Sequence, residues 1–112
     1  LMQMHNKGFV CVDVKPQNFM VRPVEQSTSS VDILPTVAFI DFGLLERYTA
    51  TTVGSAHRPN SGVATPNGTP TFMSLAVQQG STVARRDDME AMVCSIVVIN
   101  RPLVISIVYG VL

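Results

Sequence analysis

Residues 11–43 read CVDVKPQNFMVRPVEQSTSSVDILPTVAFIDFG. Two polar clusters stand out, Asp13-Val14-Lys15-Pro16-Gln17-Asn18 and Asp41-Phe42-Gly43. Each sits against apolar, strand-like runs: Phe9–Val12 before the first, Phe19–Val21 after it, and Val37–Ile40 before the second. A carboxylate pressed against such runs is costly to bury unless its charge is compensated. Two carboxylates, an amide and a lysine at neighbouring strand ends suit a metal ion and a phosphate. Pro16 excludes a helix interior and pushes Lys15 into an extended shape. The spacing predicts a strand from Asn18 to Val21 with an antiparallel partner from Val37 to Ile40. The polar insert between them, 22–35, reads as an exposed loop.

Asp-x-Lys-Pro-x-Asn, a strand, an insert, a second strand and Asp-Phe-Gly together resemble the catalytic core of a protein kinase. Further on, Gly68-Thr69-Pro70 and Ala84-Arg85-Arg86-Asp87-Asp88-Met89-Glu90-Ala91 are similar to the casein kinase I superfamily, which includes the vaccinia-related kinases. The resemblance covers roughly residues 1–96, with the four motifs in the family's order. It implies an α+β fold, a partial protein-kinase-like C-terminal lobe. Its parts would be a catalytic loop, a short antiparallel hairpin, an activation segment over Thr49–Pro70 and a central helix. The implied chemistry is transfer of the ATP γ-phosphate to a protein serine or threonine, with ATP and Mg2+ bound.

The resemblance assigns roles residue by residue. Asp13 would be the catalytic base, orienting a substrate hydroxyl and taking its proton; a turn-capping aspartate is the plain alternative. Lys15 would steady the γ-phosphate; the alternative is a solvated lysine. Asn18 and Asp41 would bind Mg2+, a hard cation that takes oxygen ligands. Phe42 would pack inward, and Gly43 would let the loop turn through angles closed to other residues. Thr69 would hydrogen-bond toward Asp13 and Lys15; a bare Gly-Pro turn is the alternative. Asp88 would bind backbone N–H groups of the catalytic loop, against a plain helix cap by Asp87 or Asp88. Arg85 and Arg86 would recognise an acidic or already phosphorylated substrate, or else pair with Glu90 or Asp87. His5 and His57 have no sequence partners that argue for a role.

The pattern departs from the family at two places. Cys11 and Val12 stand where the family has His-Arg, so an arginine for a phosphorylated activation segment is absent and activation by that route is not expected. The 112 residues also hold no Gly-rich loop and no strand lysine of an ATP-binding lobe. The expectation is a fragment, residues 1–112, of a longer kinase domain, with 100–112 a divergent tail. It needs its N-terminal lobe as partner and is inactive alone. Two alternatives stay open: a pseudokinase-like scaffold or regulatory module, and a non-functional gene fragment.

Composition fits one globular unit, with 46% hydrophobic and 14% charged residues and zero net charge. Zero net charge gives no broad attraction to nucleic acid or anionic membranes. Cys11 and Cys94 both lie in apolar surroundings, reading as thiols in a reducing, intracellular compartment, cytoplasmic or nuclear, with a disulfide as the alternative. Leu1–Asn6 reads as a helix end, Phe9–Val12 as a strand, Leu44–Tyr48 as one turn, and Ser74–Gln79 as a short helix closed by Gly80. A longer helix should run from Arg86 or Asp87 to about Ile99, with Asp87, Asp88 and Glu90 at its positive end. It is apolar on nearly all sides after Met92, as for a helix buried in a larger body. The tail from Asn100 to Leu112 is apolar but interrupted by Arg101-Pro102. A central arginine costs roughly 2.5–3.5 kcal/mol on insertion, which argues against a membrane span.

Overall fold

The computed structural model describes residues 1–22, 36–49 and 56–101. The expectations for most of the 22–35 insert, for part of the activation segment and for the tail beyond 101 lie outside the described residues. The chain runs through α1 (Met2–Asn6), β1 (Phe9–Val10), a 3-10 turn (Pro16–Asn18), β2 (Phe19–Arg22), β3 (Thr36–Phe39), β4 (Glu46–Arg47), α2 (Leu75–Gln78) and α3 (Arg85–Ile99). Helices and short antiparallel sheets together make an α+β architecture.

The expected hairpin forms. β2 and β3 pair antiparallel with Phe19 opposite Phe39 and Val21 opposite Val37. The Phe19 and Phe39 rings meet edge to face at 5.3 Å, an arrangement favoured by the ring quadrupoles. Just before β2, Pro16 opens the 3-10 turn, where its missing N–H costs nothing. Ile40 N–H continues the ladder to the Asn18 carbonyl at 2.9 Å. This last bond sets Asn18 and Asp41 at adjacent strand ends.

A second pair corrects the sequence reading. The segment expected as one turn after Gly43 instead carries β4, which pairs antiparallel with β1: Phe9 opposite Arg47 and Val10 opposite Glu46. The expected strand at 9–12 stops at Val10, because Val12 adopts φ 68°. That left-handed conformation is rare for a β-branched residue.

Two small cores take residues from the segment 10–14. Val10, Tyr48, Val77 and Val83 form one. Cys11, Val14, Phe72 and Ala91 form the other, with Phe19 and Phe39 packed against it. Consecutive residues Val10 and Cys11 therefore face opposite cores, which pins the backbone just before Asp13. Full burial of each such valine is worth roughly 1.5–3 kcal/mol.

The two later helices start as their caps require. Ser74 accepts the Val77 N–H at 3.2 Å and opens α2. Gly80, at φ 89°, closes it. Asp87 reaches back to the Ala84 N–H at 2.7 Å at the start of α3, placing negative charge at the helix's positive end. The C-terminal half of α3 does not bury its apolar residues: Val93, Ile96, Val98 and Ile99 are all exposed. Among the described residues, no helix is long and apolar enough to cross a membrane.

Candidate functional site

Asp13 is the hub. Its Oδ1 accepts the Thr69 N–H at 2.8 Å and the Thr69 hydroxyl at 2.7 Å. Its Oδ2 lies 2.7 Å from Lys15 Nζ and takes a longer bond, 3.3 Å, from Asn18 Nδ2. Lys15 Nζ also donates to Thr69 Oγ1 at 2.9 Å. Asn18 Nδ2 donates to the Asp13 carbonyl at 2.8 Å. Four residues from two segments, 13–18 and the turn at Thr69, are thus tied into one cluster. Burial pulls the Asp13 carboxyl upward, but hydrogen bonds from Lys15 and Thr69 and the lysine charge outweigh it and hold it below the usual aspartate range.

Asp88 supports this cluster from below. It is 1% exposed, and its carboxylate accepts the Cys11 N–H at 2.8 Å on Oδ2 and the Val12 N–H at 2.9 Å on Oδ1. The two aspartates of α3 divide their work. Asp87 caps the helix and also accepts the Ser74 hydroxyl at 2.7 Å, while Asp88 holds the loop. His5 Nε2 lies 2.7 Å from Asp88 Oδ2, and the Tyr48 hydroxyl donates to the His5 carbonyl at 2.7 Å. His5 is a member of this network that sequence reasoning missed. Its partner is 83 positions away, beyond any local signal.

Asp41 is brought near but is not bonded into the hub. It is exposed, and its Oδ1 accepts the Gly43 N–H at 2.9 Å. Gly43 is not among the described positive-φ glycines, which are Gly8, Gly62, Gly68 and Gly80. A side-chain carbon at Gly43 would sit 3.1 Å from Asp41 Oδ1, an exposed side-chain atom that can shift. Phe42 corrects the inward expectation as well. It is 49% exposed and meets Phe39 edge to face at 5.5 Å.

The Asn18 side chain spends its NH2 on Asp13, which leaves its carbonyl oxygen as the end able to meet a cation. With the Asp41 carboxylate at the next strand end, two protein oxygens suit Mg2+, which keeps waters and takes phosphate oxygens for the rest. No group of three His, Cys, Asp or Glu side chains able to hold a metal occurs among the described residues.

Arg85 and Arg86 lie apart from the hub. Arg85 stacks over Tyr48 at 5.0 Å, and Arg86 Nε approaches Asp87 Oδ1 at 3.7 Å. Both line a pocket of about 590 Å³ with His57, Arg58 and Asn60. Cys11 and Cys94 are free thiols. Burial, with the Asp88 charge adding to it, pushes the Cys11 thiol up to about 11.

No family model matches the chain. It is 29% identical over 92 residues to casein kinase I homolog 3 of Schizosaccharomyces pombe, covering 82% of this chain and 20% of that protein. It is 32% identical over 90 residues to casein kinase I homolog 2 of Saccharomyces cerevisiae, covering 80% and 15%. It is 32% identical over 101 residues to casein kinase 1-like protein HD16 of Oryza sativa subsp. japonica, covering 90% and 14%. The chain therefore spans a fifth or less of the length of these relatives. Over at least 80% of its length, the chain is similar in sequence to these casein kinase I relatives.

Proposed function

We propose that residues 1–112 are the catalytic-loop-to-central-helix part of a serine/threonine protein kinase of the casein kinase I type. The reaction is transfer of the ATP γ-phosphate to a protein hydroxyl. The observation that carries this reading is the convergence of Lys15, Asn18 and Thr69 on the Asp13 carboxylate.

Asp13 has the charge and position to orient an incoming hydroxyl. The hydrogen bonds from Lys15 and Thr69 and the lysine charge favour the carboxylate form, which is the form that would orient the hydroxyl. Lys15, now shared between Asp13 and Thr69, supplies a mobile positive charge for a transferring phosphoryl group. Asn18 and Asp41, with Gly43 behind Asp41, would hold Mg2+ and with it the ATP phosphates. The metal's contribution, when bound, is to neutralise charge on phosphate oxygens. Thr69 fixes Asp13 on one side, and Asp88 fixes the preceding backbone on the other.

Arg85 and Arg86 would meet an acidic or already phosphorylated protein substrate at the pocket they line. An intracellular setting, cytoplasmic or nuclear, belongs to the same reading. On its own the segment would be inactive, because no Gly-rich loop or strand lysine for ATP lies within it. Cys11 and Val12 at the family's His-Arg positions favour a second reading, a pseudokinase-like binding module.

The test is Asp13→Ala in the complete protein carrying this segment, assayed for phosphate transfer from ATP to serine or threonine. The expected loss is about 10²–10⁴-fold, in line with removal of a positioned acid–base group. Unchanged turnover would refute the role given to Asp13, and no transfer in the unmutated protein would favour the binding module.

A further inference from the structure

The turn at 67–69 and the Val12–Asp13 step meet with very little room between them. Val12 is the one non-glycine residue among those described with a positive φ, 68°. Its N–H is held by Asp88 Oδ1 at 2.9 Å, so its peptide is not free to swing. Gly68 faces it at φ 105°. A side-chain carbon on Gly68 would lie 3.1 Å from the Val12 carbonyl oxygen and 3.6 Å from Asp13 Oδ1. The first distance is inside ordinary contact, and the atom it meets is backbone. Directly after Gly68, Thr69 places both its N–H and its hydroxyl on Asp13 Oδ1.

We propose that Gly68 is a positioning residue. Its missing side chain lets the Val12 carbonyl seat against the 67–69 turn, and that seat sets Thr69 on Asp13. The chain of contacts then runs from Asp88 through Val12 and Gly68 to Thr69 and back to Asp13. Its consequence for catalysis rests on the kinase reading above; the geometry itself does not. Gly62 supplies the contrast. It is also left-handed, at φ 68°, but open space surrounds the place its side chain would take. Left-handed backbone alone therefore does not set Gly68 apart; the close approach to Val12 does.

Amide hydrogen exchange on the 15N-labelled 112-residue chain tests this without any phosphoryl-transfer assay, so an inactive protein leaves the result readable. In Gly68→Ala the Thr69 amide should exchange at least about tenfold faster. The Arg58 and Ala64 amides, bonded to Tyr48 and Gly80 carbonyls at 2.8 Å each, should keep their protection. Gly62→Ala, which also puts a side chain on positive-φ backbone but at a milder angle, should change Thr69 exchange less than about twofold. Gly68→Asn tolerates positive φ but retains the intruding carbon, and should behave as Gly68→Ala does. Thr69 protection retained in both Gly68 variants would overturn the proposal, as would an equal loss in Gly62→Ala. Loss of protection at every amide in both Gly68 variants would also overturn it, because the position would then serve folding rather than the seating of Thr69.

Discussion

Asp88→Asn turns one carboxylate oxygen into an NH2 group and leaves size and shape alone. Oδ2 accepts the Cys11 N–H at 2.8 Å and Oδ1 the Val12 N–H at 2.9 Å. An amide has one acceptor oxygen, so whichever way it turns, one of these backbone donors faces another donor. At a side chain 1% exposed, water does not replace the lost acceptor. An orphaned buried donor costs about 1–3 kcal/mol, and the surviving bond loses its charge assistance. Part of that is returned, because a released Val12 escapes a conformation that itself costs about 1–3 kcal/mol. The net destabilisation should be about 1–3 kcal/mol, with the relaxation centred on Val12. Urea unfolding measures the first quantity. Amide exchange at Cys11 and Val12 measures the second, with about tenfold or greater acceleration expected there while the α3 amides hold. A stability change within about 0.3 kcal/mol, together with unchanged protection at both amides, would refute the account of how the loop is held.

Other outcomes follow from single contacts. Ser74→Ala should cost about 1–2 kcal/mol in urea unfolding, since it removes the α2 cap and a buried partner of Asp87. Asp13 is depressed in the folded state, so its stabilising contribution is present above the unfolded value near about 3.9 and fades as pH falls through the lower folded value. Asp13→Asn should therefore flatten the loss of stability between about pH 5 and pH 3; an unchanged slope would contradict that assignment. A thiol reagent at about pH 8 should label Cys94 well before Cys11, because Cys11 is buried and its thiolate disfavoured; mass spectrometry of the labelled peptides distinguishes them.

Much of the fold was legible because its signals are local. Phe19–Val21 and Val37–Phe39 carry strand patterns, and Ser74, Gly80 and Asp87 carry helix boundaries, all of which formed. What escaped depends on distant partners. β4 is only Glu46–Arg47, a charged pair with no strand signature, and it exists because β1 offers an edge. His5 finds Asp88 across the fold. Val12 would read as extended from its β-branched side chain, yet a buried carboxylate and two flanking cores force it left-handed. Phe42 looks like a core residue by type, but its contact with Phe39 leaves half of it exposed.

In the proposed site, Asn18 and Asp41 face one divalent ion beside Asp13. Mn2+ titrated into the 15N-labelled chain reads this directly, because the ion broadens the signals of nuclei near it. The account predicts that Asn18, Asp41 and Gly43 broaden together and first, and that Asp41→Asn weakens the effect at Asn18 as well. Broadening of Asp41 that leaves Asn18 and its side-chain amide sharp would contradict it.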